Sequence, residues 1–274
     1  MPSLRYVVAD VFTDTPLEGN QLGVFTDARD VPDGLMQRLA KELNFSETVF
    51  VLPKEGDGHV RIRIFTPAQE LPFAGHPTLG TAFVLGAPLQ LDEIRLETGM
   101  GVVPVKLERE EARIVFGRME QPYPEVRPYE EEAAVLAALG VERSALPVEL
   151  YDNGAEHVYV ALRSEDEVAA LDPDLQALRR LPVGINCFAG EGGRWKTRMF
   201  GPGLGVAEDP ATGSAAGPLA LHLVRHGLVE AGRQIEIRQG EEVGRPSTLY
   251  ATADEQRVEV AGSAVVVARG EFRI

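Results

Sequence analysis

The chain of 274 residues contains a single cysteine, Cys187, and that scarcity removes several chemistries at once. No intrachain disulfide can form, and no mechanism that needs two thiols is available. Apolar runs long enough to span a bilayer are missing too, so no membrane partner is expected. Basic residues are in short supply: 27 Lys and Arg stand against 42 Asp and Glu, for a net charge of −15. So acidic a chain repels nucleic acid and anionic lipid surfaces, which excludes nucleic acid as an expected partner. No long stretch is low in apolar content, and 44% hydrophobic residues are enough for an ordinary core. Met1 to Arg5 lead straight into a strand-like run without a signal-peptide core, so the expected location is cytoplasmic.

What the chain does have is a phrase written twice, half a chain apart. The first copy reads Arg63-Ile64-Phe65-Thr66-Pro67, then Glu70, then Ala74-Gly75-His76-Pro77-Thr78 and a small-apolar run to Gly86. The second reads Arg198-Met199-Phe200-Gly201-Pro202, then Glu208-Asp209, then Thr212-Gly213-Ser214-Ala215-Ala216 and an apolar run to Gly227. Such self-similarity predicts two similar lobes, each with a glycine-led helix start, facing each other across one cleft.

Periodicity fills in the lobes. Alternating or β-branched runs predict strands at Arg5–Ala9, Leu22–Phe25, Phe45–Leu52, Val60–Phe65, Ile94–Leu96, Val102–Leu107 and Arg113–Phe116. The second half repeats the mixture, with strands at Val148–Tyr151, His157–Leu162, Val183–Phe188 and Trp195–Phe200, then four more before the end. Amphipathic spacing after Pro32 predicts a helix, as does Glu130–Leu139 before Gly140, and another begins at Asp172-Pro173. His76–Gly86 and Ser214–Gly227 read as buried helices. The Pro-rich stretch from Gln121 to Pro128 is the candidate linker. Strands dominate, with one central buried helix per lobe, so the fold class is α+β and not a doubly wound parallel sheet. The expected lobes are residues 1–120, joined by a C-terminal strand at 263–274, and residues 121–262.

Four elements carry chemistry. The glycine-led helix starts at Gly75 and Gly213 offer free N–H groups and a dipole to a carboxylate, and glycine permits close approach; each could also be a plain turn, with Ser214 an ordinary N-cap. His76, at the positive end of its helix, is disfavoured as imidazolium and can exchange a proton near neutral pH. Glu47 lies in an apolar strand on the same face as Phe45, Val49 and Val51, so burial raises its pKa toward the range of a general base. Its alternative is the solvent face of an edge strand. Asp209, in Glu208-Asp209-Pro210, is placed beside Ser214 to face the first lobe and orient or share a proton with a histidine, although Asp-Pro is also a common turn opener. His222 and His226, at i and i+4, have the spacing of a metal pair, but no third ligand is evident, and no metal is expected. His59 and His157 have no nameable partner.

Taken together these residues resemble the phenazine-biosynthesis isomerase (PhzF-like) family, on the diaminopimelate epimerase fold. The match runs nearly end to end. It includes Asp10-Val11-Phe12, Gly19-Asn20-Gln21-Leu22-Gly23-Val24, Asn44-Phe45-Ser46-Glu47-Thr48 and Pro72-Phe73-Ala74-Gly75-His76-Pro77-Thr78. It continues through Glu208-Asp209-Pro210-Ala211-Thr212-Gly213-Ser214-Ala215, Gln239-Gly240 and Gly244-Arg245-Pro246-Ser247. The resemblance implies two pseudo-symmetric lobes, each a curled, mostly antiparallel sheet around a central helix, and a homodimer without metal or organic cofactor. It implies a proton-shuttling Glu47, with His76, Asp209 and Ser214 as further catalytic residues. Gly75 and Gly213 become backbone donors to the carboxylate of a small substrate, with Asn20 and Ser46 nearby. In the phenazine branch the substrate is a dihydro-3-hydroxyanthranilate, whose proton moves between ring carbons to leave an enol that becomes a ketone. Related epimerases use a cysteine at each helix start, where this chain has Ala74 and Thr212, so one base fits better than two thiols. A racemase or epimerase of another small amino or hydroxy acid is the alternative, as is a non-catalytic metabolite-binding protein with the same cleft.

Overall fold

Along Ser247–Ala253 every second residue is buried, and the same period-two burial recurs along Ile235–Gln239 and much of Gly101–Glu110 and Arg113–Gln121, because one face of a curled sheet covers a helix. Glu156–Ala161, Gly184–Glu191 and Arg194–Gly201 are instead buried on nearly every residue. The computed structural model describes residues 3–274. The first lobe contains β1 (Ser3–Val11), β2 (Asn20–Phe25), α1 (Asp33–Leu43), β3 (Glu47–Leu52), β4 (Val60–Phe65), β5 (Glu70–Leu71), α2 (Gly75–Leu89), β6 (Glu93–Thr98), β7 (Gly101–Glu110) and β8 (Arg113–Gln121). There follow β9 (Glu125–Pro128), α3 (Glu132–Leu139), β10 (Glu149–Asp152), β11 (Glu156–Ala161), α4 (Glu165–Ala169), α5 (Leu175–Leu178), β12 (Gly184–Glu191) and β13 (Arg194–Gly201). The chain closes with β14 (Val206–Asp209), α6 (Gly213–Arg225), β15 (Ile235–Gln239), β16 (Ser247–Ala253), β17 (Val258–Gly262) and β18 (Ala264–Arg273).

The strand pairings repeat one for one. In the first lobe β1–β2 is antiparallel, β2–β3 parallel, β3–β4 antiparallel and β4–β6 parallel, and β6, β7 and β8 then run antiparallel with β5 alongside β4. In the second, β10–β11, β11–β12, β12–β13 and β13–β15 alternate in the same senses, β15, β16 and β17 follow antiparallel, and β14 lies alongside β13. β18 adds to β1 and β9 adds to β10, both antiparallel. Antiparallel pairing of β8 with β17 makes one continuous sheet of the two.

Side chains repeat with the backbone. Arg63 grips Glu70 through two parallel hydrogen bonds of 2.7 Å, and Arg198 grips Glu208 through two of 2.8 Å. Each guanidinium also lies over the phenylalanine two residues on, at 5.2 Å for Phe65 and 4.9 Å for Phe200. Helices α2 and α6 are the axes of the two lobes. Gly75 to Gly86 and Gly213 to Leu223 are buried on every face, as their run of small and apolar residues requires.

Two expectations change. Gln121–Pro128 is no free linker: β8 runs to Gln121, and Glu125–Pro128 pairs with β10 as an edge strand, where proline is tolerated because its missing N–H faces away from the ladder. The helix at Asp172-Pro173 starts two residues later, as the single turn α5 capped by the Asp174 carboxylate. Among the described residues no helix is long and apolar enough to cross a membrane.

Candidate active site

Helices α2 and α6 meet start to start. A Cβ added at Gly75 would lie 2.4 Å from the Gly213 carbonyl carbon and from Ser214 N, and one at Gly213 would lie 2.8 Å from His76 N. The glycines therefore serve first the contact of one backbone with the other, and only through it the approach of a ligand. Neither start has a side-chain cap, since Ala74 and Thr212 occupy the cap positions without bonding the helix N–H groups. Ser214 is thus not the cap but the second residue of its helix. The orphan N–H groups of both first turns and both positive dipole ends converge on one cavity of ≈ 280 Å³.

That cavity is lined by Glu47, His76, Asp209 and Ser214 together with Gly75 and Gly213. A larger groove beside Arg163, Arg194 and Tyr250 holds no comparable convergence of helix ends and buried titratable groups. Glu47 opens β3 and keeps 15% side-chain exposure at the cavity. Its Oε2 lies 3.3 Å from His76 Nδ1 and has no hydrogen-bonding partner among the described residues. Burial, with the nearby Asp209 charge adding to it, pushes the Glu47 carboxyl up to about 8. Burial also drives His76 down to about 3, so the imidazole is neutral and the contact with Glu47 is not an ion pair. His76 Nε2 is enclosed without a hydrogen-bonding partner among the described residues.

Asp209 ends β14 and is clamped from both sides. Asn20 Nδ2 donates to its Oδ1 at 2.8 Å, and Thr212 Oγ1 donates to its Oδ2 at 2.6 Å. Burial outweighs these bonds and lifts the carboxyl to about 6. Its hydrogen bonds run to Asn20 and Thr212, and the carboxylate beside His76 is Glu47 instead. Asn20 also donates to Ala211 O at 2.8 Å and accepts from Ser46 Oγ at 2.7 Å. Asn20 and Ser46 line a neighbouring cleft rather than the cavity and stand behind the two carboxyls.

Sequence reasoning missed His157. Its Nε2 lies 2.9 Å from Ser214 Oγ, while Asn186 Nδ2 donates to its Nδ1 at 3.3 Å. With Nδ1 accepting, the proton sits on Nε2 and is donated to Ser214, which leaves the serine O–H free to donate to a ligand. Burial holds His157 neutral, down to about 3. The first turn of α6 is also held by side chains. Pro218 lacks the N–H that would bond Ser214 O, and Asn153 Nδ2 takes that carbonyl at 3.0 Å. Gln121 Nε2 bonds Gly213 O at 2.8 Å and Tyr159 Oη bonds Ala215 O at 2.7 Å. Gln239 Nε2 donates to Asp209 O and Thr212 Oγ1 at 2.7 and 2.9 Å. Arg245 pins the turn before Asn20 through Gly19 O at 2.6 Å and the buried Asp10 carboxylate at 2.6 Å. Only the Gln239-Gly240 and Gly244-Arg245 motifs hinted at these roles.

The frame is symmetric but its chemistry is not. Glu47 opens β3 opposite Leu22, and the matching residue that opens β12 is Gly184, opposite His157. Asp209 pairs with Met199, and the matching residue opposite Ile64 is Leu71. Each carboxyl therefore exists once, with no twin in the other lobe.

The family model for phenazine biosynthesis-like proteins (PhzC-PhzF) matches residues 9–270. The trans-2,3-dihydro-3-hydroxyanthranilate isomerase of Pseudomonas aeruginosa is 51% identical over 97% of this chain and 98% of its own. A PhzF-family phenazine biosynthesis protein from Bacillus anthracis has the same fold, with a TM-score of 0.85 at 25% identity and complete coverage of both chains. The hydroxyproline epimerase of Agrobacterium vitis shares the architecture alone, at 13% identity and a TM-score of 0.69 over 98% of this chain and 92% of that one.

Proposed function

This chain belongs to the phenazine biosynthesis-like protein family and is an isomerase, and from that premise we propose that it moves a proton within a small cyclic carboxylate, without a cofactor, by general acid–base catalysis at Glu47. The proposed substrate is trans-2,3-dihydro-3-hydroxyanthranilate, on the strength of the half-identical relatives that bear that name. A cavity of ≈ 280 Å³ is near the lower end of small-molecule sites and suits one ring with its substituents.

In this reading the substrate carboxylate lies against the paired helix starts at Gly75 and Gly213, with the Ser214 hydroxyl as a side-chain donor. The ionised form of Glu47, a minority at neutral pH for a carboxyl pushed up to about 8, takes a proton from one ring carbon as the C–H bond breaks, and the electron pair spreads into the conjugated ring. The same carboxyl, 15% exposed and able to exchange its proton with solvent, then protonates a second carbon, leaving an enol that becomes the ketone. Atoms and electrons balance without an oxidant or reductant. His76, neutral, and Asp209, hydrogen-bonded, serve the substrate's polar groups and the protonation state of Glu47. Asn20 and Ser46 act from behind by holding Asp209.

The observation that carries this reading is the pairing of a desolvated Glu47 carboxyl, its Oε2 without a hydrogen-bonding partner among the described residues, with two converging helix starts. A pure binding protein needs the helix starts but not the base. The related epimerases that work with two thiols carry them at the helix starts, and Ala74 and Thr212 stand there in this chain. Turnover of trans-2,3-dihydro-3-hydroxyanthranilate in deuterium oxide, followed by proton NMR beside a panel of amino and hydroxy acids, tests the assignment. Deuterium should appear at a new ring carbon of that substrate; exchange confined to the α-carbon of an amino acid would instead favour the epimerase reading.

The same proposal divides the chain at 1–120 with 263–274 and at 121–262, supported by the pairing of β18 with β1. It also includes a homodimer in the cytoplasm. The buried, unpaired Cys187 supports the compartment, and the family resemblance supports the dimer, which sedimentation equilibrium checks.

A further inference from the structure

At the end of α6 remote from the cavity lies a polar cluster that the proposed reaction does not use. His222 and His226 share one face of the helix a turn apart, and β10 supplies the third group that their spacing lacked. Glu149 Oε2 is 3.3 Å from His222 Nδ1 and 3.0 Å from His226 Nε2. All three donor atoms lie within 4.8 Å of one another. The Tyr151 hydroxyl, also on β10, stands 3.0 Å from both Glu149 Oε2 and His222 Nδ1.

The two separations from Glu149 Oε2, 3.3 and 3.0 Å, are close to what a zinc-type ion imposes. Bonds of about 2.0–2.2 Å to imidazole nitrogen and carboxylate oxygen put neighbouring donors about 3.3–3.6 Å apart around a tetrahedron. The cluster is built before any ion arrives. His222 is fully buried, stacked on Tyr159 at 5.5 Å and set edge-on to Phe188 at 5.7 Å, so its ring has one orientation. Arg225 Nη2 holds Glu149 Oε1 at 3.3 Å, which leaves Oε2 to the histidines. The C-terminal end of α6 carries the negative pole of the helix dipole and favours a cation there. Glu149 and His226 keep partial exposure, which provides an entry path.

We propose that Glu149, His222 and His226 form a binding site for a zinc-type divalent cation, with the Tyr151 hydroxyl or a water as the fourth ligand. The ion would tie β10 to the end of α6 and so brace the helix whose other end lines the cavity. Its role is structural.

Chelator-treated full-length protein titrated with cobalt(II) tests this directly. One equivalent should bind with the intense visible bands of four-coordinate cobalt, and zinc should displace it and raise the melting temperature. Glu149→Gln and His226→Gln should each weaken binding by about 100-fold or more while melting normally in chelator. Loss of the bands with an unchanged fold supports the site. Absence of saturable binding in the unaltered protein, or undiminished affinity in both variants, overturns it.

Discussion

Burial raises both site carboxyls, Glu47 to about 8 and Asp209 to about 6, so near neutral pH the pair holds roughly one proton. Titration by carbon-13 NMR should find the Glu47 carboxyl well above the ordinary carboxylate range; titration near 4.5 would remove the basis for its role. The shift also bears on stability. A carboxyl whose folded pKa exceeds its unfolded one binds its proton more tightly when folded, so it favours folding at low pH and that contribution is lost as pH rises toward 8. Glu47→Gln is therefore expected to stabilise the protein at pH 8 by on the order of 4 kcal/mol, with an effect of less than about 1 kcal/mol at pH 5, in denaturant titrations. For Ser214 the partner matters. His157→Phe removes the bond that turns the serine hydroxyl toward the cavity, and KM should rise about tenfold with kcat changed far less, since one oriented donor to an anion is worth about 1.4 kcal/mol. Equal falls in both constants, or no recovery in His157→Gln, would mean that the histidine merely fills space. Glu47 was legible in the sequence because strand alternation set it among Phe45, Val49 and Val51. His157 was not, because nothing local announces a partner 57 residues away.

At the scale of elements, the glycine at each helix start was legible and its reason was not. Gly75 and Gly213 read as openings for a ligand, yet the space of the absent side chain is filled by the opposite helix at Gly75 and by His76 N and the Phe12 ring at Gly213. Gly75→Ala must push α2 and α6 apart against rigid backbone. A loss of about 2–3 kcal/mol is expected in thermal or denaturant unfolding, with activity falling further because the two anion cradles separate. Unchanged stability would show that the helix starts are not in contact. Gln121–Pro128 misled for a related reason: proline marks a break in a central strand but is admissible in an edge strand such as β9. Helix α6 shows the same interplay, since Pro218 gives up a backbone bond that Asn153 then takes over.

Across the whole molecule the duplication was the clearest signal in the sequence, and it survives down to the twin Arg63–Glu70 and Arg198–Glu208 forks. Hidden from the sequence were the joins between the halves, because β8–β17 pairing and the Asp10–Arg245 bridge connect residues more than 100 positions apart. Those joins, and a core that runs through both lobes, predict one cooperative unfolding transition with matching calorimetric and van't Hoff enthalpies. Two resolved transitions would contradict it. The proposed function rests on where the symmetry fails, at Glu47 against Gly184 and Asp209 against Leu71. Solvent-deuterium incorporation by Glu47→Gln, measured beside its substrate affinity, tests that claim most directly. The variant should bind trans-2,3-dihydro-3-hydroxyanthranilate within a few-fold of the unaltered protein and incorporate no deuterium; incorporation at an undiminished rate would show that another group carries the proton.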